Sequence, residues 1–233
     1  MSRAAAESIT VAWLSHRYPG QAVDALTDID LHVPAGTTAA IVGPSGSGKS
    51  TLLTLIAGLH RPTRGTIHLG DTDLTTQTET RLLQIRATRL AVVTQDPFRT
   101  LLPYATCLEN LHFAARAPRS HGRAALPDPH ELLHDLGLDL VAGSPAARLS
   151  GGERQRLALA AGLATGPTVL LCDEPTSQLD AANRHRTTAL LQQIATERHV
   201  TVVAVTHDHD LAAACTTAIT LDHGHLQGTR HDR

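Results

Sequence analysis

The sequence predicts an α/β protein with a mixed, largely parallel sheet core and an inserted all-helical segment. Short apolar runs with strand character alternate with helical patterns in the first and last parts of the chain. Between residues 96 and 166 the strand signal fades, and helical patterns alternate with loops rich in proline and glycine. With 233 residues and 42% apolar content, the chain is large enough for one such domain. We therefore expect a single domain over 1–233, with residues 1–95 and 167–233 as its core and residues 96–166 as its helical subdomain.

The individual elements follow the apolar runs between turn residues. Strands are expected at 9–14, 25–33, 38–42, 65–69, 90–94, 168–172, 201–205 and 218–221. Helices are expected at 49–59, 78–87, 129–136, 150–164 and 181–198, with a short one after residue 205. Residues 118–129 are interpreted as an exposed linker.

Charge and composition argue against several classes of protein. The net charge is −2 and no long run of basic residues occurs, so nucleic acid is not expected as a partner. Cys107, Cys172 and Cys215 show no pairing pattern, which is typical of free thiols in a reducing compartment. No apolar run approaches the roughly 18 residues of a membrane-spanning helix. Any membrane role is therefore expected to come through a partner.

The residues after the strand at 38–42 match the phosphate-loop pattern GxxxxGK[ST] and open a predicted helix. They are Gly43, Pro44, Ser45, Gly46, Ser47, Gly48, Lys49, Ser50 and Thr51. Glycines let backbone N–H groups surround a phosphate, and the helix N-terminus adds partial positive charge. Lys49, the only lysine of the chain, is expected to reach the β- and γ-phosphates of a nucleotide, and the Ser50 hydroxyl to ligate Mg²⁺.

A second acidic motif ends the apolar strand at 168–172. Asp173 and Glu174 follow it directly, at the end of the strand that faces the ligand crevice in a parallel sheet. We expect Asp173 to hold Mg²⁺ through its water shell and Glu174 to take a proton from an attacking water. Taken alone, the pair is equally well explained as two solvated turn acids.

Residues 149–156, LSGGERQR, predict a second helix start that binds an anion. Ser150, Gly151 and Gly152 offer small side chains and free N–H groups at the positive end of a helix dipole. The local alternative is an ordinary capped helix, with Ser150 as N-cap and Glu153 closing a capping box, which leaves the double glycine unexplained. With this segment the chain resembles the ATP-binding cassette (ABC) ATPases, whose signature is LSGGQ or LSGGE.

The resemblance covers roughly residues 8–226 and implies a P-loop NTPase (RecA-like) fold with an antiparallel β region. It implies ATP and Mg²⁺ as ligands and a head-to-tail pair of cassettes. In such a pair Ser150, Gly151, Gly152 and Glu153 of one chain face the nucleotide of the other. The second ATP-binding subunit is either a second copy or a close relative.

By their positions in the family's motifs, four further residues acquire expected roles. Tyr18 matches the aromatic residue that stacks on adenine, and Gln95 the glutamine that touches Mg²⁺ or its water. Asp180 ends the D-loop at 177–180, which communicates across the dimer, and His207 matches the histidine that contacts the γ-phosphate. The predicted catalytic residues are Lys49, Gln95, Glu174 and His207; the predicted metal ligands are Ser50, Gln95 and Asp173.

The resemblance also implies a transmembrane permease subunit as partner, with this chain at the cytoplasmic face of the membrane. Residues 95–110 are expected to face the permease, and the apolar side chains that would contact it are Phe98, Leu101, Leu102 and Tyr104; the alternative is that some of them belong to the subdomain core. The segment combines features similar to peptide-type importers and to lipoprotein-type exporters, and it favours the exporters slightly. A soluble ABC-type ATPase is the alternative function, whereas the LSGGE segment and His207 argue against a small-molecule kinase. Cargo and direction of transport stay open.

Overall fold

The described part of the protein contains a six-stranded sheet, a four-stranded antiparallel sheet and eight α-helices. The computed structural model describes residues 5–121 and 126–231. The strands are β1 Ile9–His16, β2 Leu26–Val33, β3 Thr38–Val42, β4 Arg64–Leu69, β5 Thr72–Asp73, β6 Leu90–Val93, β7 Val169–Asp173, β8 Thr201–Val205, β9 Thr217–Asp222 and β10 His225–His231. The α-helices are α1 Lys49–Ile56, α2 Glu79–Thr88, α3 Cys107–Ala114, α4 Arg116–Ser120, α5 Pro129–Asp135, α6 Gly151–Ala164, α7 Ala181–Arg198 and α8 His209–Ala214.

The six-stranded sheet has the order β10-β9-β3-β8-β7-β6. All neighbours from β6 to β9 pair in parallel, and only the edge strand β10 runs antiparallel, to β9. Parallel strands end at the same edge of a sheet, where α/β proteins bind their ligands. Because β3, β8 and β7 are adjacent, the segments that follow these three strands meet at this edge.

Both faces of the six-stranded sheet are buried, which explains why its central strands read as continuous apolar runs. Alternate residues point to opposite faces. Ala40 and Leu170 belong to a cluster with helices α3, α5, α6, α7 and α8. Ile41, Leu171 and Val203 belong to a second cluster with α1 and the antiparallel sheet. Helix α1 therefore lies between the two sheets.

The antiparallel sheet has the order β2-β1-β4-β5. Buried and exposed residues alternate along most of β2, as in a strand with one face on the core and one in water. The pairing of β1 with β2 shifts register between Val11 and Leu14, around Trp13, which has a φ of 51°. This irregularity turns Trp13 out of the core and leaves it exposed.

The α/β fold predicted from the sequence is confirmed, including the absence of strands in the described residues between 96 and 166. The expected linker at 118–129 is wrong at its start, because Arg116–Ser120 forms helix α4 and Pro118 is buried. Pro118 lies in the first turn of α4, where its missing N–H costs no hydrogen bond. Residues 122–125 of that segment lie outside the described residues. The boundaries of a separate helical subdomain remain a prediction.

No helix of the described residues combines the length and apolar character needed to cross a bilayer.

Candidate active site

The carboxyl edge of the six-stranded sheet carries a cavity of about 670 Å³. This volume is typical of sites for small molecules. The ends of three central strands position the main groups of the cavity: β3 leads into the phosphate loop, β7 ends at Asp173, and β8 leads to His207. The cavity is lined by Tyr18, Ala25, Gly43, Ser45, Gly46, Gly48, Lys49, Ser50, Thr51, Gln95, Asp173, Glu174 and His207.

The phosphate loop wraps around the start of α1. Gly48 is the N-cap of this helix and has a left-handed conformation with a φ of 101°. A Cβ atom at this position would lie 2.7 Å from the Ala25 carbonyl oxygen, so the loop requires glycine here. The Lys49 ammonium group lies across the loop and donates hydrogen bonds to the carbonyl oxygens of Gly43, at 2.9 Å, and Pro44, at 2.7 Å. These contacts keep the only lysine of the chain directed into the loop.

The β9–β10 hairpin, which was not predicted from the sequence, contacts the phosphate loop through a hydrogen bond of its turn. The Gly224 N–H, in the turn between β9 and β10, donates to the Ser47 carbonyl oxygen at 3.1 Å. The Gly224 carbonyl oxygen accepts from the Thr27 N–H at 2.8 Å. Strand β10 was not predicted because it is a polar edge strand. The glycine-containing turn before it was the one local feature of the sequence that indicated a hairpin.

Ser50 and Asp173 form an all-oxygen pair beneath the phosphate loop. The Ser50 hydroxyl donates to Asp173 Oδ1 at 3.4 Å. Burial, and then the charge of neighbouring Glu174, raise the pKa of Asp173. A bound divalent cation would offset both effects, and a hydroxyl with a carboxylate is the kind of ligand set that Mg²⁺ prefers.

Glu174 and His207 face each other at the cavity wall. His207 Nδ1 lies 2.9 Å from Glu174 Oε2. Glu174 has a φ of 51°, an unusual conformation for a non-glycine residue, and its N–H donates to the Val205 carbonyl oxygen at 2.8 Å. The Glu174 side chain is only 15% exposed, whereas that of His207 is 73% exposed. The carboxylate is therefore held in place, while the imidazole is accessible from solvent.

Tyr18 and Gln95 complete the cavity. The Tyr18 hydroxyl forms a hydrogen bond with the Thr51 hydroxyl at 3.1 Å, which links the tyrosine to α1. The Tyr18 ring packs edge-on against His16, with ring centroids 4.7 Å apart. Gln95 lies just beyond the end of β6, where it is exposed.

The signature residues form a separate surface. Ser150 and Glu153 make the reciprocal hydrogen bonds of a capping box at the start of α6. The hydrogen bonds from Ser150 lower the pKa of Glu153, which keeps the cap charged. None of Ser150, Gly151, Gly152, Glu153 and Asp180 lines the cavity. Pro44 and Ser47 of the phosphate loop do not line it either: Pro44 accepts from Lys49 through its carbonyl oxygen, and Ser47 is buried.

Comparisons with known proteins point to one family. Residues 26–177 match the ABC transporter family model. The lipoprotein-releasing system ATP-binding protein LolD 1 of Caulobacter vibrioides is 40% identical over 208 residues, which cover 89% of this chain and 88% of that protein. The ABC transporter ATP-binding protein YtrE of Bacillus subtilis is 36% identical over 206 residues, 88% of each chain. A solved dimer of the ATP-binding cassette MJ0796, in a post-hydrolysis state with ADP and Pi, has a TM-score of 0.83 and 30% identity, covering 97% of this chain and 99% of that chain.

The chain belongs to the ABC transporter family. It is an ATP-binding and ATP-hydrolysing subunit of an ABC transporter, which confirms the main prediction from the sequence over the soluble, non-transport alternative.

The cassette also carries an exposed apolar segment after Gln95. Tyr104 is 92% exposed, and Phe98 and Leu102 are also exposed, as expected for a contact surface. For Leu101 the alternative holds, and this residue belongs to the subdomain core: its side chain is 4% exposed and packs in the cluster that contains α3 and α6. Leu101 and Leu102 are adjacent residues of the same type, so the sequence does not show which of the two side chains is buried. Only the packing of the folded chain decides this.

A second cavity of the cassette, of about 690 Å³, lies between α8 and strands β9 and β10. It contains none of the predicted site residues. It is lined by small apolar residues such as Ala212 and Ala218 together with polar ones such as Asp210 and Thr220.

Proposed function

We propose that this cassette hydrolyses Mg-ATP at a site shared between two cassettes and thereby drives transport through a separate permease. The partner would be a second copy or a close relative, arranged head to tail. The observation that carries the proposal is the separation of the two phosphate-binding helix starts within one chain. The cavity contains the phosphate loop, Asp173, Glu174 and His207, but it lacks the signature residues. A second cassette would supply them.

In the proposed site, the phosphate loop binds the nucleotide. The N–H groups at the start of α1 and the Lys49 ammonium group neutralise phosphate charge. Tyr18 lies at the cavity wall, and in the proposed site its ring would stack on the adenine base. Mg²⁺ would be held by Ser50 and Asp173, with Gln95 nearby, and would neutralise charge on the phosphates.

Glu174 is the proposed general base. Its carboxylate is largely buried and oriented by His207 Nδ1 at 2.9 Å and by the Thr206 hydroxyl at 3.5 Å. A carboxylate in this position accepts a proton from a water that attacks the γ-phosphate. His207 has a second ring nitrogen, and its exposed side chain stabilises charge on the transferring phosphoryl group.

The proposed permease contact is the exposed surface of Phe98, Leu102 and Tyr104 at the cytoplasmic face of the membrane. Apolar side chains exposed together commonly mark contact sites. The relatives named for lipoprotein release, at 40% identity, support a permease of that general kind.

Glu174→Gln tests the shared site. We expect the variant to keep ATP affinity but to lose roughly 10²- to 10⁴-fold in turnover, the usual contribution of a general base. We also expect it to form a stable dimer with ATP, measured by light scattering after gel filtration. Glu197→Gln, on the exposed part of α7, is the matched control and should behave like the parent. Parental turnover in Glu174→Gln would remove Glu174 from this role, and a monomer at saturating ATP would argue against a shared site.

A further inference from the structure

Asn183, at the start of helix α7, contacts the signature helix of the same chain. Asp180 is the N-cap of α7, and its Oδ1 accepts the Asn183 backbone N–H at 2.8 Å. Asp180 Oδ2 accepts the side-chain amide of Asn183 at 2.9 Å. Asn183 Oδ1 accepts from Nη1 of Arg156, on α6, at 3.3 Å. A chain of hydrogen bonds therefore runs from the D-loop at 177–180 to the signature helix.

The amide of Asn183 also lies directly on Gly152 of the signature. A Cβ atom at residue 152 would lie 2.4 Å from Asn183 Oδ1 and 2.6 Å from its Cγ. Only glycine permits this approach. The contact gives the second signature glycine a role within its own chain, in addition to any contact with a nucleotide.

Asparagine is the residue type that this position requires. Its amide donates to Asp180 and accepts from Arg156 at the same time, which neither a carboxylate nor an apolar side chain can do. Arg156 is buried, its Nε has no hydrogen-bond partner among the described residues, and burial lowers its pKa. Because the guanidinium has few other partners, its bond to Asn183 Oδ1 matters more than its length of 3.3 Å suggests.

We propose that Asn183 is a positioning residue that holds the D-loop and the signature segment of one cassette in a fixed relation. The proposal rests on the head-to-tail dimer proposed above, in which the signature segment faces the partner's nucleotide and the D-loop communicates across the dimer. Asn183 touches no reacting atom. It keeps two elements of the dimer contact in a fixed relation, and a small misplacement of groups around a reacting nucleotide costs turnover rather than nucleotide affinity.

The test compares Asn183→Ala, Asn183→Asp and the control Gln193→Ala, which lies on the exposed face of the same helix. The alanine variant loses both side-chain bonds; the aspartate variant keeps an acceptor for Arg156 but loses the donor to Asp180. We expect kcat to fall roughly tenfold in Asn183→Ala, the factor that corresponds to about 1.4 kcal/mol, and at least as much in Asn183→Asp. The ATP affinity of the monomer, by calorimetry, should stay within about twofold because Asn183 does not line the cavity. The Gln193→Ala control should match the parent.

A second measurement separates positioning from folding. In the Glu174→Gln background, Asn183→Ala should weaken the ATP-dependent dimer by a similar factor while the melting temperature stays close to that of Glu174→Gln. Parental kcat and dimer affinity in Asn183→Ala would overturn the proposal, as would a joint loss of melting temperature and monomer ATP affinity. Failure of the Glu174→Gln variant itself to dimerise, with Asn183 intact, would instead refute the shared site, and this proposal with it.

Discussion

Replacement of Glu7 by alanine should destabilise the fold by about 3 kcal/mol and leave the active site unchanged. Glu7 pairs with Arg89 through both carboxylate oxygens, and the Thr168 hydroxyl donates to Glu7 Oε2 at 2.5 Å. The Arg89 guanidinium also donates to the Thr72 hydroxyl and the Leu69 carbonyl oxygen, both at 2.9 Å. This network joins the antiparallel sheet to the amino ends of β6 and β7, at the edge opposite the cavity.

The expected magnitude follows from the burial of the pair. Loss of one partner from a fully buried ion pair costs about 3–5 kcal/mol, whereas an exposed pair contributes about 0–1 kcal/mol. The side chains of Arg89 and Glu7 are 19% and 22% exposed, which favours the lower end of the first range. For a chain of this length, about 3 kcal/mol corresponds to a fall in melting temperature of roughly 6–12 °C.

Thermal unfolding followed by circular dichroism measures this effect, with Glu79→Ala as the control. Glu79 also pairs with an arginine, Arg86, but its side chain is 66% exposed, so its loss should lower the melting temperature by less than about 4 °C. ATP affinity at 20 °C should equal that of the parent in both variants. Equal melting temperatures for the Glu7 and Glu79 variants would refute the reasoning.

Three further predictions concern the site and its surroundings. Burial and Glu174 raise the pKa of Asp173, so folding favours its protonated form and its contribution to stability falls as pH rises above the unfolded value of about 3.9. Without nucleotide, the melting temperature of Asp173→Asn should therefore be higher than that of the parent at pH 7, and the difference should disappear towards pH 3. The variant should also lose the part of the stabilisation by ATP that depends on Mg²⁺. A lower melting temperature than the parent's at pH 7 would contradict this reasoning. Tyr18→Ala should weaken ATP binding by roughly 5- to 150-fold in calorimetry, the usual range for loss of a base-stacking ring, and unchanged affinity would exclude stacking. Leu102→Glu should keep the ATPase activity of the isolated cassette but lose co-purification with the permease, whereas Leu140→Glu, at a residue 101% exposed, should keep both; equal co-purification of the two variants would move the contact elsewhere.

Much of the sheet core was predictable from the sequence because its apolar runs, turn residues and helix caps favour the same elements that the folded protein buries. The bounds of β3, α7 and β8 match the prediction, since β3 and β8 are apolar runs bounded by turn residues and α7 has Asp180 as its N-cap. Strand β10 was missed because its sequence, HLQGTRH, is polar and its place in the sheet comes from pairing with β9. Helix α4 was missed because Pro118 reads as a breaker when its position in the first turn is unknown.

The candidate site, too, has features that the sequence predicted and features that only the tertiary structure decided. The sequence alone predicted the phosphate loop and the two acids at the end of β7 as the groups that bind and hydrolyse a nucleotide, because glycine spacing, a helix start and a strand end are local features of the backbone. Only the tertiary structure decided that Glu174 and His207 lie 2.9 Å apart, that Leu101 points inward, and that the amide of Asn183 lies on Gly152. These contacts join side chains from different elements, and their distances depend on how the sheet, its helices and its loops pack together, which no short pattern of residues encodes.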